Sequence, residues 1–490
     1  MHRDQSRREF LGRVGATAAA AWLGSSVWEA AAEARMNVLF IPVDDLRPEL
    51  GCYGNTLVHS PNIDGLAASG TVFERAYCQQ AICMSSRASL LSGYRPDVGE
   101  IYKNEALYKH IPDALTLNRH FLAHGYETMS IGKVYHHGSD DKIGWSQGAH
   151  DPKGAWAGRG YFTEEAKAVV QAYEEKYPEA PRGGMGPAFE AAEVPDNAYI
   201  DGLIADLAVE SLGRLKDKPF FLASGFRKPH LPFTAPKKYW DLYDPAAFKL
   251  ADNPFAPKGA PKESLTNWSE LRGYHGMPAR GDMPDDLARQ LIHGYYACVS
   301  YVDAQIGRVL DALDRLGLRE NTVVVLWGDH GWKLGEHGMW CKHTNFELDT
   351  HAPLIFRAPG IATGQRTAAL TEFVDIYPTL CDLCGLEKPA HLQGSSALPV
   401  LQDPGRPWKR AAFSQYPWGR TMGYSMRTDT HRYTEWKEMR TREVVARELY
   451  DHRTDLAENE NVVDAPENAD LVKELAGMLA AGYEAARPKP

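Results

Sequence analysis

The chain has 490 residues, 44% of them hydrophobic, which is enough apolar material for a large buried core and excludes a disordered chain, collagen or a small disulfide-stapled scaffold. Lys and Arg number 54 against 64 Asp and Glu, a formal net charge of −10. A surface of that sign repels nucleic acid and anionic lipid, so an anionic substrate must be drawn into a local basic pocket.

Residues 1–34 read as an export signal. Arg7 and Arg8 stand beside Phe10 and Leu11 in SRREFLG, an uncharged run extends from Val14 to Trp28, and Ala32-Glu33-Ala34 is a small-residue cleavage site. The pattern predicts twin-arginine export to the periplasm or outside the cell. The uncharged run is shorter than the roughly 20 residues a membrane helix needs. With no second hydrophobic span behind it, the expected product is soluble, without a stable membrane anchor.

Next comes MNVLFIPV (36–43), a continuous apolar run of strand length that ends abruptly in Asp44-Asp45. PFFLASGF (219–226) ends ahead of Lys228 and His230, and TVVVLW (322–327) ends, after Gly328, in Asp329-His330. Between the last two, Leu291, Ile292, Tyr295, Val299, Val302, Ile306, Val309 and Leu313 keep one helical face, with Gly317 as a stop. Such alternation predicts an α/β fold, a largely parallel sheet flanked by helices, with ligands in the crevice beyond the carboxyl edge. Two Gly- and Pro-rich stretches, 138–198 and 243–286, lack periodicity and are expected to be loops that shape a substrate pocket.

Beyond residue 390 the character changes. YSMRTDTHRYTEWK (424–437) reads as two short strands around a Thr428-Asp429-Thr430 turn, followed by a polar segment and a helix near 468–486. The predicted organisation is signal 1–34, catalytic domain 35–389 and a smaller α+β subdomain 390–490. Seven cysteines, at 52, 78, 83, 298, 341, 381 and 384, leave at least one unpaired. Cys381 and Cys384 form a C-x-x-C, but apolar residues recur around them at helical spacing, which predicts buried helix residues rather than a metal or redox pair.

Adjacent carboxylates at a strand end are hard to desolvate unless a cation neutralises them, and Asp329 and His330 at a second strand end are placed to complete such a site. Oxygen donors suit Ca²⁺ or Mg²⁺, and the imidazole pulls toward Zn²⁺.

The segment CMSSRASLLSG (83–93) resembles the signature of type I sulfatases of the alkaline phosphatase superfamily. VDDLRPELGCYG (43–54), MSIGKVYHHG (129–138), FRKPHLPF (226–233), GDHGWKLGEHGMWCKHTNFE (328–347), SQYPWG (414–419) and MGYSMRTDTHRYTEW (422–436) extend the resemblance, most closely to its iduronate-2-sulfatase-like branch. It implies an alkaline-phosphatase-like fold and one Ca²⁺ per chain, held by Asp44, Asp45, Asp329, His330 and the oxygen at position 83. Cys83 would be oxidised to formylglycine by the formylglycine-generating enzyme. The hydrated aldehyde would supply the attacking hydroxyl and, through its second hydroxyl, expel sulfate by breaking its own C–O bond.

By the same resemblance, Arg87 holds the diol and the metal-side carboxylates, while Lys133 and His136 contact diol or sulfate and act as base, with His137 the alternative register. His230 and Lys342 clasp the sulfate and help protonate the leaving alcohol. His337 and His343 remain open between substrate contact and packing. Two features depart from the usual family pattern: Ser85 replaces the Pro or Ala that follows two residues after the modified cysteine, and His330 stands where Asn is commoner. The implied substrate is a sulfated carbohydrate. Alternatives are a phosphomonoester or phosphodiester hydrolase of the same superfamily, or a non-catalytic sulfoglycan-binding protein with an unmodified Cys83, the reading that Ser85 favours.

Overall fold

The computed structural model describes residues 35–136, 138–152, 160–179 and 186–488. The export signal at 1–34 and the His137 register lie outside the described residues.

The three apolar runs form strands Asn37–Val43, Phe220–Gly225 and Thr322–Gly328, buried along their whole length. Alternate side chains serve opposite faces. Leu39, Ile41, Val324 and Leu326 join one core layer, and Val38, Phe40, Val325 and Trp327 the other. Both faces are apolar because helices cover both. The sheet has eight strands, in the order Gln365–Thr367, Thr71–Phe73, Leu354–Arg357, Thr322–Gly328, Asn37–Val43, Phe220–Gly225, Glu127–Gly132 and Ala149–His150. Leu354–Arg357 runs against both its neighbours and the other pairings are parallel.

Register fixes the site. Val43 lies opposite Gly328 and bridges Phe226, and Gly132 lies opposite Gly225. The polar residues after these strands therefore emerge at one level, at the carboxyl edge. The long helix Asp285–Arg315 packs into the first layer, and Gly317 follows it in the left-handed region, φ +70°. Helices Cys83–Ser92 and Ile376–Leu383 pack into the second.

A separate antiparallel sheet runs Ala412–Trp418, Thr421–Arg427, His431–Glu438, Val444–Asp451, with helix Ala469–Ala486 against Met426, Tyr433 and Leu449. The expected polar segment after residue 437 is thus partly strand: Val444–Asp451 is an edge strand whose first half alternates half-buried and exposed residues, which hides its period. The loop expected over 138–198 also needs correction. It contains helix Glu164–Lys176, capped by the Thr163 side chain accepting from the Ala166 N–H. Ala166 is its buried residue, so there is no apolar stripe to read. All seven cysteines are free; Cys381 is buried in helix Ile376–Leu383 and Cys384 caps its end. Among the described residues no helix is long and apolar enough to cross a membrane.

Candidate active site

Asp44 and Asp45 follow the first strand and are fully buried. Asp44 N–H donates to Phe226 O at 3.2 Å, and Asp45, at φ +60°, donates its N–H to Asp329 Oδ1 at 3.0 Å. A non-glycine in that region is held there by its surroundings. Cys83 opens helix Cys83–Ser92, and one turn on, on the same face, comes the fully buried Arg87. Arg87 Nε donates to Asp329 Oδ2 at 2.8 Å, Nη2 to Asp44 Oδ1 at 3.2 Å, and Nη1 to the carbonyls of Lys133 and Val134. One guanidinium thus ties three strand ends together. Lys133 Nζ bonds Asp44 Oδ2.

His330 Nδ1 lies 2.9 Å from Gly331 O. A carbonyl can only accept, so Nδ1 donates to it and Nε2 is the nitrogen turned into the site. Nε2 lies 3.2 Å from Cys83 Sγ, 3.4 Å from Asp45 Oδ1 and 3.7 Å from Asp329 Oδ1. Donor atoms of Asp45, Cys83 and His330 lie within 4.8 Å of one another, as do those of Asp44, Cys83 and Asp329. Three buried carboxylates, an imidazole nitrogen and the atom at position 83 converging on one point are donors a divalent ion takes, and their oxygen majority fits a hard one.

Lys342 Nζ reaches both Asp45 oxygens, at 3.0 and 2.9 Å, and lies 4.8 Å over the Trp332 ring. His230 Nε2 is 3.8 Å from Asp45 Oδ2. Cys341 (φ +68°) and His343 (φ +91°) flank Lys342, so this segment is strained as Asp45 is. His136 is half-buried and, with Lys133, lines a cavity of about 470 Å³ shared with Lys142, His150 and Arg227.

Burial pushes the Asp44 carboxyl up, but Lys133, His230 and Arg87 outweigh it and hold it well below the usual range. Asp45 goes the other way, to about 7: burial dominates, Lys342 only partly offsets it, and Asp44 adds repulsion. Burial also raises the Cys83 thiol well above its ordinary value despite Lys133 and Lys342. As a thiol, Cys83 is a protonated and poor nucleophile here. Burial, then Lys133, lowers His136 to about 4, so it is neutral and able to accept a proton at pH 7.

The structure therefore brings Asp44, Asp45, Cys83, Arg87, Lys133, His230, Asp329, His330 and Lys342 to one place, with His136 at its margin. His337 is drawn into packing: Nε2 donates to Ala457 O at 2.7 Å and its ring lies against Phe346. His343 sits against Tyr416 of the C-terminal sheet, ring centroids 6.0 Å apart. Ser85 is buried in the first turn of its helix, its hydroxyl without a partner among the described residues. Glu270, which sequence reasoning did not single out, meets both Lys342 (2.9 Å) and His230 (3.2 Å). It comes from the aperiodic 243–286 stretch, where no local pattern marks one acid among many.

Residues 36–386 match the family model for Sulfatase, and residues 335–484 that for N-sulphoglucosamine sulphohydrolase, C-terminal. The iduronate 2-sulfatase of Homo sapiens is 34% identical, covering 92% of this chain and 95% of the relative. The Delta 4,5-hexuronate-2-O-sulfatase of Bacteroides thetaiotaomicron is 26% identical, covering 93% and 91%. A solved chain in complex with its substrate D-glucosamine-2-N,6-O-disulfate superposes with a TM-score of 0.72 at 25% identity, covering 91% and 97%. The phosphonate monoester hydrolase of Agrobacterium radiobacter shares the fold, with a TM-score of 0.73 at 24% identity over 91% and 95%.

Proposed function

The chain belongs to the sulfatase family and is a sulfuric ester hydrolase, and from that premise we propose that it removes sulfate from a sulfated glycan, at O-2 of a uronic acid residue. What carries the reading is the convergence, at the carboxyl edge of one sheet, of three buried carboxylates, an imidazole nitrogen, Cys83 and three buried cations. The uronate assignment is supported by two relatives named for uronate 2-sulfate, each aligned over more than nine tenths of the chain. The cavity beside Lys133 and His136 has the size of a small-ligand pocket and room for a sugar unit.

In this reading Asp44, Asp45, Asp329 and His330, with the oxygen at position 83, would hold Ca²⁺, which when bound polarises the sulfate oxygens. Cys83, once oxidised to formylglycine by a formylglycine-generating enzyme, would supply a hydrated-aldehyde hydroxyl as the nucleophile toward sulfur. The buried thiol is ill-suited to that task itself. The chain's other side chains do the rest. Arg87 locks Asp44 and Asp329 in place, Lys133 offsets their charge, and His136 accepts the proton when sulfate is released. His230 and Lys342 clasp the sulfate, and the Lys342 ammonium helps protonate the departing alcohol. Export of the mature chain by the twin-arginine route, to the periplasm or beyond, would place it with extracellular glycans.

The test pairs peptide mass spectrometry at residue 83 with sulfate release from defined disaccharides, before and after chelation and calcium readdition. Formylglycine at 83 and calcium-dependent release from 2-O-sulfated uronates are expected. A thiol mass throughout, or preference for nitrophenyl phosphate over nitrophenyl sulfate, refutes the reading.

A further inference from the structure

Glu270 lies on the four-residue helix Ser269–Arg272, ahead of the long helix. Its two carboxylate oxygens are divided between two active-site bases: Oε2 is 2.9 Å from Lys342 Nζ, and Oε1 is 3.2 Å from His230 Nε2. The backbone that presents it is strained. Trp268, the residue before the helix, is 3% exposed and sits at φ +43°, a left-handed conformation that is strained for a bulky residue. Arg272 clamps this turn, its guanidinium 3.2 Å from the Trp268 ring centre and donating to the carbonyls of Asn267, Pro278 and Gly281. Facing it, Lys342 stands between Cys341 and His343, both left-handed as well. Strain on both sides of one ion pair persists only where the surroundings over-determine it, and such places cluster at functional sites.

Asp45 offers Lys342 a second carboxylate, but Asp45 belongs to the cation-binding set. Once its oxygens turn to a divalent ion, the ammonium faces positive charge on that side. Among the described residues, Glu270 is then a carboxylate outside the cation-binding set that reaches both Lys342 and His230.

We propose that Glu270 is a positioning residue of the hydrolysis, bridging Lys342 and His230 so that Nζ and Nε2 stay aimed at the leaving oxygen. The proposal rests on the glycan sulfatase reading of the site. When the bond between sulfur and the sugar oxygen breaks, its electron pair goes to that oxygen, and a proton from the Lys342 ammonium joins it, with His230 holding the sulfate beside it. A nitrophenolate leaves without that proton; a sugar alkoxide does not. Glu270 therefore matters in proportion to how poor the leaving group is.

The experiment compares kcat and KM of wild type, Glu270→Gln and Glu270→Asp on nitrophenyl sulfate and on a 2-O-sulfated uronate disaccharide. For Glu270→Gln, kcat on the disaccharide is expected to fall about 100-fold, and on nitrophenyl sulfate less than about 5-fold, the size of one lost proton-transfer contribution. KM should stay near wild type, and Glu270→Asp should restore part of the loss. Thermal unfolding and formylglycine content are measured alongside, and Glu270→Asp carries the same leaving-group comparison should Glu270→Gln not fold. Calcium titration of the metal-free variant is expected to match wild type, because Glu270 holds cations of the protein and not the ion. Equal losses on both substrates, a loss confined to KM, or weakened calcium binding overturns the proposal. A wild type that releases sulfate from neither substrate overturns the glycan sulfatase reading and this proposal with it.

Discussion

Arg87 shows how a single side chain carries the electrostatics of the site. With no exposed surface it neutralises Asp44 and Asp329 and braces the Lys133 turn. Replacing it by Met strands the buried Asp329 carboxylate and leaves Asp44 to Lys133 alone, an expected cost of about 3–5 kcal/mol in denaturant unfolding, and Arg87→Lys should recover little because a point charge cannot span three strand ends. Ser85 makes the opposite case. It is the third residue of its helix, where the amide N–H has no intrahelical partner, so Pro fits the backbone. Ser85→Pro also removes a buried, unpartnered hydroxyl. It is expected to leave stability unchanged or raise it by up to about 1 kcal/mol while increasing the formylglycine fraction at residue 83, read by peptide mass. Asp44-Asp45 was legible because adjacent acids at a strand end are hard to desolvate without a cation, and Arg87 through the resemblance of CMSSRASLLSG to the sulfatase signature. Glu270 was not, since its partners are brought to it by the fold alone.

The strands do the aligning. Because Asn37–Val43, Phe220–Gly225 and Thr322–Gly328 are parallel and in register, three distant sequence positions deliver their polar ends at one height. The fit is tight where strands give way to site loops: a Cβ on Gly225 would come within 2.1 Å of Lys133 O. Gly225→Ala must displace the Lys133 turn, and a shift of that kind is expected to lower kcat about 100-fold with a smaller effect on thermal unfolding. Equal activity would show that Lys133 tolerates movement. Continuous apolar runs made these central strands readable from sequence. Helix Glu164–Lys176 and strand Val444–Asp451 escaped because they bury too little for a period to show. Their shape comes from caps and strand pairing.

Across the molecule, an acidic chain contains a site where three carboxylates meet three cations, so a bound divalent ion would leave it positive and attractive to a sulfate ester. The C-terminal sheet is pinned to the rest by Glu347, which accepts from Arg432 at 2.5 Å and from Arg427 at 3.2 Å; Arg432 also donates to Glu458 at 2.6 Å, and Tyr77 steadies Glu347 at 2.8 Å. Burial raises both glutamates, but Arg432 overrides it, holding Glu458 to about 2 and Glu347 lower still. A carboxyl depressed in the folded state adds stability above its unfolded pKa, about 4.3, and loses it as pH falls toward the folded value. Denaturant unfolding should therefore weaken between about pH 5 and 2, and Arg432→Met should both flatten that slope and cost about 3–5 kcal/mol at neutral pH.

Sulfate release from a 2-O-sulfated uronate disaccharide, by purified wild-type protein and by Cys83→Ala, bears most directly on the convergence of residues 44, 45, 83, 329 and 330. Release by wild type that stops on chelation, returns with calcium and is absent in Cys83→Ala is expected. Release that persists in Cys83→Ala, or none from wild type carrying formylglycine and calcium, would show that these residues do something else.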